Sequence, residues 1–434
     1  MTHRRAALSL LVLSVASGAS GASGSRAASQ ESVPPAAGAP YVRLVEEADG
    51  RLLCLEVAAR RFAPEDGTGP EVLLAGAIHI AEPSFYRTLQ ELLDARDVVL
   101  FESVKPAGTG DPAHDRGVRD DAARVRITIQ RQRLVALFLE SWFDEHGRYP
   151  ADLGELARGL TADRALLLEV AADDGWGRPL ELVVVSRARR GKFDLVSLGA
   201  DEREGGEGVA ADLFFSDQPA ISAAELGQGG LQKELAQAMR LVFQLDAMDH
   251  AGAQWLNADL AMDQITERLG QPQSPDELFG LLSGESLMAR MGTRLLRLVG
   301  STAGGSAALQ LVGIELLSRS EEILATGSPL LGNLLEVLIQ DRNAVVLEEL
   351  RAIVSAEREG GDRAGAIERV GVLYGVAHLA DLEQRLCAEL GYAPAGEEWL
   401  RAVELDLDEL GIGRTQVGWI RRTIQGALDL QLGD

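Results

Sequence analysis

Apolar and polar positions alternate in blocks along the first hundred residues. Residues 41–45 and 52–57 read as a hairpin, residues 66–70 as a turn, and residues 71–80 as a buried strand. Pro83 and Ser84 then open a helix, with Phe85, Leu89, Leu92 and Leu93 at helical spacing. Residues 97–102 form a second short apolar run that closes on the carboxylate Glu102. Strand, helix, strand is the unit of a parallel sheet. It puts His79 and Glu102 at strand C-terminal ends, the edge where such sheets bind ligands. A second apolar run, residues 370–378, repeats the ending of the first. Gly76-x-x-His79 and Gly375-x-x-His378 are matched signals nearly three hundred residues apart, in a chain with six histidines.

Between these runs the pattern changes twice. Residues 106–123, rich in Gly, Asp and Arg, read as a linker. Ile127, Leu134, Phe138 and Trp142 then mark a helix that stops at Gly147 to Pro150. A turn at 174–179, a strand at 180–185 and two Gly- and Asp-bearing stretches, 193–201 and 204–212, follow. From Ser222 the spacing is helical: 231–245, 262–269, a cap at Ser274, 278–298, a Gly-rich break at 300–305, then 309–323, 330–339 and 346–353. After the second strand, a helix at 382–390 precedes Gly391-Tyr392, and 396–434 reads as one or two amphipathic helices. The expected fold class is α/β (α+β): a central mixed sheet flanked by helices, with a long helical middle, interrupted by a small α+β insert.

With 434 residues the chain has room for two or three cores. A net charge of −24 argues against a nucleic-acid partner, because a phosphate backbone calls for Lys and Arg. Cys54 and Cys387 make no disulfide framework; they read as buried free thiols or as a single bridge. His3, Arg4 and Arg5 precede an apolar run at 6–16 and small residues up to Ala28, the pattern of a secretory signal. Residues 1–28 are therefore expected to be a signal peptide, with an uncleaved anchor as the alternative, and 29–40 a linker. The mature protein is expected in the periplasm or outside the cell, with no stable membrane span.

Gly76-x-x-His79, Glu102, Arg342-Asn343 and Gly375-x-x-His378, in this order, resemble the TraB/GumN/Tiki family. The family pattern is a strand with Gly-x-x-His, a helix, a strand ending in Glu, a helical middle with Arg-Asn, and a second strand with Gly-x-x-His before a helix ending in Gly-Tyr. The match spans about 41–106 and 226–395, with Ala77 where Thr is common. It divides the chain into 41–106 and 226–434, parts of one domain, around an insert at 107–225. In the Tiki branch such a site is associated with metal-dependent peptide cleavage.

Neutral imidazole and carboxylate suit zinc, manganese or cobalt, so His79, Glu102 and His378 are the candidate ligands, with positions left for water and substrate. Arg342 would stabilise an oxyanion or orient Glu102. The plainer readings are a hydrogen-bonded structural histidine at each position and a Glu102–Arg342 pair. Tyr86, Asp259 and Asp263 carry less weight singly. Among the remaining histidines His114 and His146 read as incidental, and His250 as the one most apt to approach the site.

The insert has its own resemblance. Gly147-Arg-Tyr-Pro150, Asp174-x-Trp-Gly-x-Pro179, Ser197-Leu-Gly-Ala-Asp201 and Asp212 resemble, in order, the globular domain of the type II secretion major pseudopilin over about 124–217. The family's long apolar N-terminal helix is missing. The resemblance implies calcium in the acidic loop, held by Leu198 through its carbonyl, Asp201 and Asp212; a solvated acidic turn is the alternative. The expected function is an exported metal-dependent hydrolase, peptidase-like and acting on a peptide or protein. The alternative is a non-catalytic exported binding or regulatory protein that makes protein–protein contacts through the insert. Substrate, metal identity and oligomeric state are not legible in the sequence.

Overall fold

The computed structural model describes residues 38–47, 50–111, 120–219, 221, 241–269, 303–319, 336–360 and 367–432. The signal segment, the cap at Ser274 and the helix expected at 278–298 lie outside the described residues, as does 231–240; the described end of the helix expected at 231–245 includes a strand, Val242–Phe243, not helix.

The first part runs β1 (Val42–Glu46), β2 (Leu52–Pro64), β3 (Glu71–Ala77), β4 (Ile80–Ala81), α1 (Pro83–Asp94) and β5 (Val98–Phe101). The insert contributes α2 (Asp121–His146), α3 (Leu153–Arg158), α4 (Ala162–Ala171), β6 (Glu181–Val184), β7 (Phe193–Ser197) and β8 (Leu213–Phe214). The chain returns through β9 (Val242–Phe243), α5 (Gln244–Ala247), β10 (Trp255–Asn257), α6 (Met262–Leu269) and α7 (Ala303–Leu317). A π-helical turn (Glu336–Asp341) leads into α8 (Arg342–Gly360), and β11 (Arg369–Gly375), α9 (Val376–Leu390), β12 (Tyr392–Asp406) and α10 (Arg414–Leu432) follow.

A mixed sheet of seven strands organises the main part. Its order is β1-β2-β3-β11-β5-β10, with β12 also on β2. β3, β11, β5 and β10 are mutually parallel, whereas β1, β3 and β12 all run antiparallel to β2. Both faces are covered, which is why β3 and β11 read as unbroken apolar runs rather than alternating ones. On one face Leu73, Ala75, Val99 and Leu373 pack with Phe85, Leu89 and Leu93 of α1. On the other, Val72, Leu74, Leu100, Val372 and Tyr374 meet Val346 and Leu350 of α8 and Leu379, Leu382 and Leu386 of α9. Arg60 of β2 is wholly buried and pairs with Glu383 of α9 and Glu397 of β12 at 2.9 and 3.2 Å, tying α9 to the antiparallel half.

Three further expectations are corrected. Residues 396–406 are strand, not helix. Val403, Leu405 and Leu407 alternate with Glu404, Asp406 and Asp408, a period of two, and pairing with β2 from Tyr392↔Pro64 to Asp406↔Leu52 decides the matter. The Gly-rich break at 300–305 is in part helical, since α7 starts at Ala303 and buries Leu311 and Ile314. The second Gly-x-x-His does not end a strand: β11 stops at Gly375, and His378 lies in the first turn of α9.

The insert has a core of its own, in which Leu134, Val135, Phe138, Leu139 and Trp142 of α2 pack with Tyr149, Leu156, Phe193 and Leu195. Asp120 caps α2 by accepting from Ala123 N at 2.7 Å, and Gly147 ends it in the left-handed region at φ 65°. Asp174, also buried, accepts from the N–H groups of Trp176 and Arg178 and from Ser197 Oγ, which explains an Asp at the head of Asp174-x-Trp-Gly-x-Pro179. Both cysteines are free, Cys54 buried and Cys387 half-buried. No described helix is long and apolar enough to cross a membrane.

Candidate functional site

Parallel pairing brings the separated motifs to one edge. The register Gly375↔Ala77 between β11 and β3, with Leu373↔Phe101 between β11 and β5, sets the three C-terminal ends side by side. Glu102 directly follows β5, His79 lies two residues past β3 in a bend, and His378 lies three past β11. The glycines serve close approach. A Cβ on Gly76 would stand 2.5 Å from Val57 Cγ1. Gly375 donates its N–H to Glu102 Oε2 at 2.5 Å, where a Cβ would lie 3.1 Å from the same oxygen.

Arg342, the first residue of α8, is the hub. Its Nε and Nη2 donate to the two carboxylate oxygens of Asp259 at 2.9 and 2.7 Å, a bidentate pair. Nη2 also donates to Glu102 Oε1 at 2.7 Å. Among the described residues Nη1 has only two contacts at the outer limit, Leu338 O and His378 Nε2, each at 3.5 Å. Asn343, the next residue, fixes His378. Its Nδ2 donates to His378 O at 3.0 Å and to Asp381 Oδ2 at 2.8 Å, so its Oδ1, 2.7 Å from His378 Nδ1, is the acceptor. Nδ1 therefore carries the proton, and the Nε2 lone pair is turned to Glu102 Oε1, 3.7 Å away.

Electrostatics follow from this packing. Burial pushes the Glu102 carboxyl up, but Arg342, then His378 and His79, outweigh it and hold the group down at about 2. Burial pushes the His378 imidazole down to about 4, against the pull of Glu102. At neutral pH the site thus holds an ionised Glu102 and a neutral His378. Burial also raises the Tyr374 phenol well above its ordinary range; its hydroxyl donates to Ala258 O, next to Asp259.

Glu102, Arg342 and His378 are thus in contact or near contact. His79 is exposed, and its imidazole acts on Glu102 through its field; its carbonyl accepts from Gln244 N at 2.9 Å. Asp259, wholly buried, Asn343 and Asp381 complete the network. Asn343 was marked by the Arg342-Asn343 motif and Asp259 only as one candidate among several; Asp381 carried no signal. Tyr86 is buried and donates to Ile78 O at 2.7 Å, beside His79. Asp263 accepts from Gly108 N at 2.9 Å, on the path into the insert. His250 packs between the rings of Phe101 and Trp255 at 4.9 and 5.0 Å, and His146 stacks on Trp142 at 4.0 Å. His114 lies outside the described residues.

Among the described residues no three His, Cys, Asp or Glu side chains stand as a ready metal cluster. One pair, His378 Nε2 and Glu102 Oε1, is of the donor type that holds divalent ions, and Glu102 Oε1 here accepts from Arg342 Nη2 at 2.7 Å. Two ligands about 2.1 Å from one tetrahedral ion lie roughly 3.4 Å apart, against 3.7 Å between His378 Nε2 and Glu102 Oε1. A hydrogen bond from the other ring nitrogen is what a ligating histidine needs. His79 does not complete the set in this arrangement.

The insert joins the main part at this edge. Its leading segment departs three residues beyond Glu102, and its trailing segment returns as β9, paired with β4 just after His79. Arg131 of α2 grips the leading segment through Gly108 O at 2.7 Å and the insert's own Asp174 O at 3.0 Å. In the acidic loop Gly199 is left-handed at φ 64°, with a Cβ position 2.4 Å from Ala211 O, so the strand end folds tightly onto the loop that follows. Asp201 accepts from Arg203 N at 3.1 Å, and Asp212 Oδ2 accepts from Gly205 N at 2.9 Å. Asp212 Oδ1 is buried with no hydrogen-bond partner among the described residues, an arrangement that suits a cation ligand.

Residues 122–215 match the family of type II secretion system (T2SS), protein G. The insert is therefore a pseudopilin-like module carried on a larger chain. No curated protein and no solved structure matches the chain.

Proposed function

We propose that this protein is an exported hydrolase of the TraB/GumN/Tiki type, peptidase-like, acting on a peptide or protein carbonyl. Glu102 and His378, with His79, would hold a divalent manganese, cobalt or zinc ion. The observation that carries the reading is the meeting of Glu102, Arg342 and His378 at the C-terminal edge of three parallel strands, from positions up to 276 residues apart.

A bound divalent ion supplies Lewis acidity and lowers the pKa of water. The chain's residues do the rest. Asn343 holds His378 in the tautomer with Nε2 open. Asp259 and Glu102 lock two arms of the Arg342 guanidinium, leaving Nη1 as the donor for negative charge developing on a substrate oxygen. The Glu102 carboxylate stays ionised across the neutral range.

The expected result is loss of hydrolysis by at least a hundredfold in the double variant His79→Ala/His378→Ala, with loss of the metal that copurifies with the wild type. Metal analysis of protein prepared without chelator and peptide-library cleavage measure the two. Equal metal and equal cleavage in both proteins would discard the reading.

A second reading, a non-catalytic exported binding protein, is favoured by one feature of the insert. Val183 of β6, the open edge of its sheet, is 39% exposed, Val185 just beyond that strand is 74% exposed, and Leu166 on α4 is 52% exposed. Calcium at Leu198, Asp201 and Asp212 would stiffen the neighbouring loop. Millimolar calcium is expected to raise the unfolding midpoint of the wild type and not of Asp212→Asn, and to strengthen capture of periplasmic proteins on the immobilised full chain. An unmoved midpoint removes calcium. Equal capture by Val183→Asp/Val185→Asp removes the contact surface.

A further inference from the structure

A second cation, Lys105, feels the same carboxylate that Arg342 grips, and the hydrolase reading does not use it. Lys105 is one of three lysines in the chain, with Lys192 and Lys233; every other basic side chain apart from the histidines is Arg. Its backbone is fixed on both sides. The N–H donates to Leu260 O at 2.9 Å, the C=O accepts from Met262 N at 3.0 Å, and a parallel bridge pairs it with Ala261. The residue thus sits one strand over from Asp259, the carboxylate that Arg342 grips.

The ammonium is half-buried and feels Asp259, Glu349 and Asp111, yet forms no ion pair or hydrogen bond with any described residue. Asp259 is unavailable to it: both oxygens serve Arg342, and Oδ1 also takes the N–H of Leu260. A half-buried ammonium without a protein partner keeps its hydrogen-bond capacity for water or for a ligand. Burial pushes the ammonium pKa down. An arginine here would present a broad fork; lysine presents a compact point charge, suited to a single carboxylate end.

We propose that Lys105 is an anion subsite of the Arg342 site, and that it holds a substrate carboxylate while the scissile carbonyl faces Arg342 Nη1. The inference rests on the hydrolase reading for the role of the site. The substrate class it names is a short peptide bearing a free C-terminal carboxylate, so cleavage falls close to the peptide's C-terminus. An Asp or Glu side chain offers the same chemistry, and the test separates the two sources.

With three lysines, reductive methylation with ¹³C-formaldehyde gives few signals, and Lys105→Met assigns the one of interest. Three probes are titrated in turn: N-acetyl-Ala-Ala as the acid, the same dipeptide as its amide, and N-acetyl-Ala-Glu α-amide, bearing only the side-chain carboxylate of Glu. The Lys105 resonance is expected to move saturably with the acid and to stay in place with the amide. Movement with the Glu probe alone overturns the C-terminal assignment. No movement with any probe overturns the subsite and leaves the ammonium a distant counter-charge to Asp259. Kinetics give an independent readout: Lys105→Met raises KM for acid-terminated peptides about tenfold and abolishes their preference over amides, and Lys105→Arg restores part of it. The resonance needs no turnover. A moving signal without cleavage sinks only the hydrolase reading, and cleavage with a still signal sinks only the subsite.

Discussion

Arg342→Met is expected to destabilise the protein by about 3–5 kcal/mol, the usual cost of removing one partner from a buried ion pair. The substitution keeps the aliphatic stem and removes the guanidinium. It leaves Asp259, whose side chain is fully buried, and Glu102, whose side chain is 18% exposed, facing each other with their shared counter-charge gone. Arg342→Lys restores little, because a single ammonium cannot span both oxygens of Asp259 while reaching Glu102. The double variant Arg342→Met/Asp259→Leu recovers much of the loss, since the second change removes a stranded charge rather than a contact. Urea midpoints for the three variants measure this. Equal stability of Arg342→Met and wild type would mean that the pair contributes nothing, and the hub would be the wrong centre for the site.

Acid is expected to weaken the fold first through His378. Its folded pKa of about 4 lies below the ordinary 6.5, so between these values the unfolded chain binds the proton and the folded chain does not. The stabilisation is complete above 6.5 and is lost as the pH falls from 6.5 to 4. Glu102 adds a lower window: its carboxyl, held near 2 against an ordinary 4.5, stabilises above 4.5 and loses that contribution on the way down to 2. From pH 7 to pH 5 only His378 of these two changes. The wild type should lose about 2 kcal/mol more than His378→Gln over that interval, and the difference should not grow at pH 8. Parallel urea curves for the two proteins would refute the depressed imidazole.

Much of the site was legible because parallel sheets impose a rule. Glu102 and the glycines of the two Gly-x-x-His motifs lie at strand C-termini, and in a parallel sheet those termini share an edge, although His378 itself falls in the helix that follows. Arg342 was legible only together with Asn343 and the order of the motifs. Asp259 was not: one Asp in a polar stretch looks like any other until a guanidinium is found between it and Glu102. Lys105 was silent for the same reason, since a lysine before a proline signals nothing in one dimension. Residues 396–406 read as helix and form strand because helical and alternating spacings overlap in a short apolar stretch, and their partner, β2, lies more than three hundred residues upstream.

Order and period along the chain settled the strand–helix–strand unit, the existence of an insert with a pseudopilin-like pattern, and the two glycines that permit close approach. These are local consequences of side-chain size, branching and backbone freedom. The bidentate Arg342–Asp259 clasp, the tautomer of His378, the depressed carboxyl of Glu102 and the unshared charge of Lys105 were decided by tertiary structure alone. Each depends on which groups desolvate one another, and desolvation is a property of neighbours in space.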